Sequence, residues 1–236
     1  KYQALHARSI SDPEGFWGEQ AALIDWQTPY SRVLDNSRPP FAKWFVGGRT
    51  NLCHNAVDRH LADLGDSPAL IYLSTETGQE KIYTFRQLYR EVNRMAGILK
   101  GLGVGKGDRV LIYMPMVVEA TFAMLACARI GAIHSVVFGG FASVSLATRI
   151  DDAKPKLIIS ADAGSRAGKP VPYKHLLDEA IRLSKAPPDK VLLVDRGLAE
   201  MTRVAGRDVD YAKLRAEHMN DEVPCEWLES SEPSYI

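Results

Sequence analysis

Two cationic residues, Arg166 and Lys169, stand three positions apart in the stretch SADAGSRAGK, which covers residues 160–169. The guanidinium of arginine is a planar fork and the ammonium of lysine is a mobile point charge, and the two together suit a phosphate group. A general excess of positive charge does not explain them, because 29 Lys and Arg residues balance 29 Asp and Glu residues. The pattern favours a local site for a phosphorylated ligand, and an exposed loop with scattered charges is the alternative.

Residues 138–141, FGGF, form a second candidate binding loop. Gly139 and Gly140 carry no Cβ atom, so the backbone there can approach a bound group closely. Phe138 offers an aromatic face for stacking. A tight turn between a strand and a helix is the alternative for this loop taken alone, but an aromatic platform beside a phosphate clamp indicates a nucleotide-like ligand.

Both loops follow apolar runs within a regular succession of strand and helix patterns. The succession opens with a hairpin predicted at residues 69–74 and 81–85, and Thr84 is placed to cap a helix that reaches about residue 100. Strands and helices then alternate four times, at residues 109–114, 117–130, 132–138, 142–153, 157–162, 173–186, 190–195 and 209–218. Continuous Val, Ile and Leu strands between helices predict an α/β fold with a doubly wound, mostly parallel sheet flanked by helices.

The predicted sheet tells where a ligand would bind. Doubly wound sheets bind ligands in the crevice beyond the carboxyl ends of their strands. The loops at residues 114–116, 138–141 and 161–169 all follow predicted strands. We therefore expect the three loops to lie on one edge of the sheet.

The first 62 residues have a different character, since they are rich in Trp, Pro and Asn and show little periodicity. They predict one or two short helices followed by an irregular segment that wraps around the rest.

Composition excludes several classes of function. Zero formal charge and a pI of about 7.2 give no general attraction to nucleic acid or to an anionic membrane. No apolar run reaches the roughly 18 residues that cross a bilayer, which predicts a cytoplasmic protein, although the absence of an initial Met leaves a removed targeting segment open. The three cysteines, Cys53, Cys127 and Cys225, are far apart in the sequence and predict reduced thiols, with no metal site.

Known catalytic motifs are missing from the sequence. The stretch GLGVGKGD at residues 101–108 is not a P-loop, because Gly107 stands where Ser or Thr is needed. The signatures of dinucleotide-binding enzymes, serine hydrolases and zinc proteases do not occur. We assign no catalytic residue from these patterns.

The two candidate loops also carry a family resemblance. Residues 126–169, together with KGDRVLIYMPM at 106–116 and PPFAKWFVGGRTNLCHNAVDRHL at 39–61, closely resemble short-chain acyl-CoA synthetases of the AMP-forming, adenylate-forming superfamily. The likeness runs through essentially the whole chain. It is strongest to members that activate propionate, with those that activate acetate close behind.

The resemblance implies that this region binds the nucleotide end of coenzyme A. Phe138, Gly139 and Gly140 would line the adenosine part, and Arg166 and Lys169 would hold the 3′-phosphate. The remaining implied contacts come from Ala167 and Gly168 in the same loop and from Val171 and Pro172, which would flank the base.

The resemblance further implies a ligase that uses ATP and Mg²⁺ to turn a short-chain carboxylate, propionate above all, into an acyl adenylate and then a CoA thioester. Residues 1–62 would be the wrapping segment, and residues 63–236 the first α/β subdomain of the large AMP-binding domain. The phosphate loop, the acyl pocket and the small C-terminal domain would lie beyond Ile236, so we expect this chain to be inactive without that missing C-terminal part. The alternatives are an acetate-CoA ligase of the same superfamily and a non-catalytic α/β module that binds a phosphorylated nucleotide or a protein partner.

Overall fold

The computed structural model describes residues 1–166 and 168–236. It begins with two short helices, α1 (Tyr2–Ser11) and α2 (Pro13–Ala21). The side chain of Asp12 caps α2, because its Oδ1 accepts a hydrogen bond of 3.1 Å from the backbone N–H of Gly15. The prediction of short helices at this end of the chain is confirmed.

The expected irregular segment contains an antiparallel hairpin that the sequence did not predict. Strand β1 (Arg32–Arg38) pairs with β2 (Phe41–Val46), and Pro39 and Pro40 lie in the turn between them. Most side chains of the two strands are exposed or only partly buried. Because neither strand has a buried face, the alternation of polar and apolar residues that signals a strand is weak here.

Short elements then connect this segment to the far end of the chain. They are β3 (Arg49–Thr50), α3 (Leu52–Ala56), a turn of 3₁₀ helix (Asp58–His60) and α4 (Leu61–Leu64). Strand β3 pairs with β13 (Leu228–Glu229) in antiparallel register. The first 62 residues are therefore joined to a segment more than 170 positions later by backbone hydrogen bonds.

The predicted hairpin and its capped helix are both present. Strand β4 (Pro68–Leu73) pairs with β5 (Glu80–Thr84), and α5 (Phe85–Gly101) follows directly. The hydroxyl of Thr84 accepts a hydrogen bond of 3.2 Å from the Gln87 N–H, while the Gln87 side chain accepts one of 2.9 Å from the Thr84 N–H. This capping box confirms where the helix begins.

The centre of the protein is a parallel sheet of five strands. Their order across the sheet is β12, β11, β8, β6, β7, with bounds β6 Arg109–Tyr113, β7 Ile133–Val136, β8 Leu157–Ala161, β11 Lys190–Val194 and β12 Asp208–Asp210. The crossover helices are α6 (Val118–Ile130), α7 (Ser143–Ala153) and α8 (Tyr173–Leu183), and α9 (Tyr211–Glu217) follows β12. The predicted doubly wound α/β fold is confirmed. Strand β12 was not predicted from the sequence, because Val209 stands between two aspartates and the strand therefore contains no apolar run.

Alternate residues of the central strand β6 point into two separate cores. Val110 and Ile112 pack with α5 and α6 on one face, while Leu111 and Tyr113 pack with α7 and α8 on the other. Every residue of β8 is buried. Burial on both faces explains why these strands read as continuous apolar runs. Among the helices of the described residues, none is long and apolar enough to cross a membrane.

The cationic loop after β8 is a second hairpin that the sequence did not predict. Strand β9 (Gly164–Arg166) pairs with β10 (Lys169–Val171) in antiparallel register. Each strand has three residues, and Gly and Pro are among them, so no strand pattern is visible in the sequence.

Candidate functional site

An open groove of about 450 Å³ lies at the carboxyl ends of the strands. It is lined by the loops that follow β6, β7 and β8 and by the turn of the β4–β5 hairpin, and its walls include Thr75, Glu76, Met114, Pro115, Met116, Phe138, Gly139, Gly140, Ser165, Val171 and Tyr173. The three loops meet at one edge, as the strand order requires. Of the predicted site residues, Phe138, Gly139, Gly140 and Val171 line the groove, whereas Pro172 is exposed and precedes the first residue of α8.

The ring of Phe138 is open to solvent, with 65% of the residue exposed. Phe141 supports it edge-on, since the two ring centroids lie 5.9 Å apart at an interplanar angle of 85°. Phe141 is itself held, because its carbonyl accepts a hydrogen bond of 3.2 Å from the Tyr113 hydroxyl and the guanidinium of Arg149 lies 4.7 Å from its ring centroid. A fixed and exposed aromatic face is suited to stacking on a planar base.

Tyr173 explains why two of the loop positions are glycine. A Cβ atom on Gly139 would lie 1.7 Å from the Tyr173 hydroxyl, and one on Gly164 would lie 2.8 Å from the Tyr173 ring. Neither distance is possible for real atoms, so the ring of Tyr173 fits only against two glycines. Tyr173 is buried, and burial raises the pKa of its hydroxyl. Sequence reasoning missed this residue, because it reads as the first apolar position of α8.

The β9–β10 hairpin brings the two predicted phosphate ligands together. Arg166 and Lys169 are cross-strand partners, so their Cα atoms are about 5 Å apart. Gly168 between them has a φ of +75°, which favours glycine. Ala167 lies outside the described residues, and only the backbone of Arg166 is described.

Two cations at cross-strand positions repel each other unless an anion lies between them. Lys169 is exposed and makes no ion pair within the part of the chain whose side chains the structure describes. The residues that flank the pair, Ser165 and Val171, line the groove. The hairpin therefore places two cationic positions immediately beyond one end of the groove.

Glu76, in the turn of the β4–β5 hairpin, holds the base of the cationic hairpin. Its Oε1 accepts a hydrogen bond of 2.6 Å from the backbone N–H of Ser165. Its Oε2 accepts one from the guanidinium of Arg196, which also donates one of 2.8 Å to the carbonyl of Ala163. The sequence gives no signal for this role, because Glu76 is one of several polar residues in a turn and its partners lie about 90 and 120 positions later.

Glu76→Ala should lower the free energy of unfolding by about 1 to 3 kcal/mol, because it leaves the Arg196 guanidinium and the Ser165 N–H without their shared acceptor. Urea denaturation followed by circular dichroism measures the change. The matched control is Glu80→Ala, at an exposed position of the same hairpin. Equal stability of the two variants would contradict the role given to Glu76.

Comparison with known proteins assigns the chain to a family. Residues 57–236 match the AMP-binding enzyme family. The chain belongs to that family. Residues 2–56 match a second family, described as the acetyl-coenzyme A synthetase N-terminus. The two matches meet at residues 56 and 57, and our division of the chain after residue 62 stays a prediction.

Individual relatives are similar to the chain over its whole length. A propionate-CoA ligase of Escherichia coli is 62% identical over 235 residues, and an acetyl-coenzyme A synthetase of Methylorubrum extorquens is 49% identical over 240 residues. Acetoacetyl-CoA synthetase from Streptomyces lividans superposes on 99% of the chain with a TM-score of 0.86 at 29% identity. The chain spans 37% of the length of the first two proteins and 35% of the third.

Proposed function

We propose that this chain binds the nucleotide end of coenzyme A within an AMP-forming ligase that activates a short-chain carboxylate, and that the carboxylate is propionate. Membership of the AMP-binding family supports the reaction class. The identity of 62% to a propionate-CoA ligase, against 49% to an acetyl-coenzyme A synthetase, supports propionate over acetate.

The observation that carries the proposal is the position of the β9–β10 hairpin beside the groove. Phe138 presents an exposed ring on which the adenine would stack. Gly139 lets the backbone of the same loop pack closely against the ring of Tyr173. Arg166 and Lys169 occupy adjacent cross-strand positions just outside the groove, where a 3′-phosphate on the ribose would lie between them. Val171 lines the groove and would flank the base.

In the proposed reaction, a carboxylate oxygen of propionate attacks the α-phosphorus of ATP and pyrophosphate leaves. The sulfur of CoA then attacks the acyl carbon, AMP leaves and the thioester forms. The residues of this chain act in the second half, since they fix the nucleotide end of CoA and thereby restrict the positions that its thiol can reach.

ATP and Mg²⁺ are part of the proposed reaction, and Mg²⁺ would offset the charge of the ATP phosphates. Within the described residues, the one close group of metal-ligand type is Cys53, Asp58 and Cys225. Its two thiols do not suit Mg²⁺, which prefers oxygen ligands. We therefore assign the ATP phosphates and Mg²⁺ to no residue of this chain.

The full-length protein tests the reaction class and the substrate together. We expect it to form propionyl-CoA from propionate, ATP and CoA, and to prefer propionate to acetate and butyrate in kcat/KM. A preference for acetate would replace propionate in the proposal. Absence of any adenylation would favour a binding module instead of a ligase.

Phe138→Ala should weaken CoA binding about five- to a hundredfold, because stacking of a base on an aromatic side chain contributes about 1 to 3 kcal/mol. In steady-state kinetics of the full-length protein, KM for CoA should rise while KM for propionate and ATP stays the same. Phe41→Ala is the matched control, since Phe41 is an exposed aromatic residue on the separate β1–β2 hairpin. An unchanged KM for CoA in Phe138→Ala would remove Phe138 from the site.

A further inference from the structure

Two cysteines that are far apart in the sequence meet around one carboxylate. Cys53 lies in α3 and Cys225 lies in the irregular segment before β13. The sulfur of Cys53 is 3.9 Å from Oδ2 of Asp58, and the sulfur of Cys225 is 3.9 Å from Oδ1 of the same residue. The two sulfurs lie within 4.8 Å of each other. None of the three residues lines the groove at the carboxyl ends of the strands, so the cluster belongs to a separate part of the protein.

A cation already occupies the centre of this cluster. The guanidinium of Arg129, which is 3% exposed, donates two hydrogen bonds of 2.9 Å to the Asp58 carboxylate and lies 3.5 Å from the Cys53 sulfur. A metal ion at the same carboxylate would displace Arg129 and leave its charge buried without a partner, which is strongly unfavourable. The cluster is therefore poorly suited to a metal cation.

The two thiols differ in access and in acidity. Cys53 is fully buried, whereas Cys225 is partly exposed. The Cys53 thiol beside it, together with the Arg129 guanidinium, lowers the pKa of the Cys225 thiol, while the Cys225 thiol and burial raise the pKa of Cys53. An accessible thiol of lowered pKa next to a second thiol has the features of a peroxide-sensitive cysteine with its resolving partner.

We propose that Cys53 and Cys225 form a reversible disulfide when a peroxide oxidises Cys225. The Cys225 thiolate attacks one peroxide oxygen, the O–O bond breaks, and the other oxygen leaves as water or an alcohol after taking a proton. Cys225 is then a sulfenic acid. The Cys53 thiol attacks its sulfur, and the sulfenic oxygen leaves as water with the thiol proton. The two sulfurs are oxidised and the peroxide is reduced, and a dithiol reverses the bridge by exchange.

The surrounding contacts hold the chain on both sides of Cys225 and keep the two sulfurs near each other. Cys225 has no helix or strand around it, and the chain is fixed two positions before and one position after it. The carbonyl of Val223 accepts a hydrogen bond from Arg129, and the carbonyl of Glu226 accepts one of 2.7 Å from the Asn51 side chain. The bridge would join α3 covalently to the segment that leads into β13 and close a loop of about 170 residues.

The test is peptide mapping of the full-length protein after treatment with a few equivalents of hydrogen peroxide. We expect a Cys53–Cys225 cross-linked peptide whose mass is about 2 Da below the summed masses of the two reduced peptides. Dithiothreitol should reduce the disulfide and separate the two peptides. Cys127 is the internal control, because it is fully buried in the sheet core and should stay reduced. Sulfinic or sulfonic Cys225 without a cross-link would overturn the proposal.

Two variants test the order of the steps. In Cys53→Ser, Cys225 should stop at the sulfenic acid and react with dimedone, and in Cys225→Ser, Cys53 should stay reduced. Circular dichroism establishes whether both variants fold. If either does not, the peptide map of the wild-type protein still tests for the disulfide. Oxidation of Cys53 in Cys225→Ser would contradict attack at Cys225. Protection of both wild-type thiols by equimolar Zn²⁺ would overturn the assignment in favour of a metal site.

Discussion

The double substitution Arg166→Ala and Lys169→Ala is expected to weaken CoA binding about a hundredfold or more. In the proposed clamp each cation would contribute a charge-assisted hydrogen bond to the phosphate, and loss of one such bond costs about 1.5 to 3 kcal/mol, or roughly ten- to a hundredfold in affinity. The two effects need not add fully, because both residues bind the same group. Calorimetric titration of the full-length protein with CoA measures the loss.

A second hairpin supplies the control for charge alone. Arg38→Ala with Lys43→Ala removes the same two positive charges from exposed positions of β1 and β2. We expect this variant to bind CoA like the wild type. An equal loss of affinity in both double variants would mean that general electrostatic attraction, and not a phosphate clamp, accounts for the effect.

Arg129→Met is expected to lower the free energy of unfolding by about 3 to 5 kcal/mol, because breaking a buried ion pair leaves the remaining charge uncompensated. Arg129 joins three regions of the chain. It pairs with Asp58 in the first segment, belongs to α6, and donates a hydrogen bond to the carbonyl of Val223 before β13. Its guanidinium also lies 5.1 Å from the ring centroid of Tyr89 in α5. Its loss should therefore loosen the contact between the first 62 residues and the sheet.

Urea denaturation of the same protein measures this change. Arg182→Met is the control, since Arg182 forms an exposed pair with Glu179 on the surface of α8, and exposed pairs contribute little. We expect the control to unfold like the wild type. A loss of less than about 1 kcal/mol in Arg129→Met would show that the Asp58 pair does not hold the two regions together.

Much of the fold could be predicted from the sequence because local signals and tertiary packing agree. The run LIIS became the wholly buried strand β8, and the Thr84 cap marked the start of α5. The β1–β2 and β9–β10 hairpins were missed for a common reason. Their strands are short or largely exposed, so burial imposes no pattern on the residues.

The candidate site likewise has some features that the sequence indicated and others that it did not. Residue types at Phe138, Gly139, Arg166 and Lys169 indicated a nucleotide-like ligand, and the family resemblance named that ligand as CoA. The residues that hold these loops in place could not be predicted from the sequence. The contact of Tyr173 with Gly139 and that of Glu76 with Ser165 join residues 34 and 89 positions apart. The meeting of Cys53 and Cys225 is the extreme case, since it depends on long-range contacts such as the pairing of β3 with β13 and the hydrogen bond from Asn51 to the carbonyl of Glu226.

The most direct test compares CoA with 3′-dephospho-CoA, two ligands that differ only in the phosphate assigned to the hairpin. Calorimetric titration of the full-length wild-type protein should give an affinity for CoA that is higher by about a hundredfold or more, because removing the phosphate removes both charge-assisted contacts. The same ratio should fall close to one in the Arg166→Ala, Lys169→Ala protein. Equal binding of the two ligands by the wild type would contradict the phosphate clamp at Arg166 and Lys169.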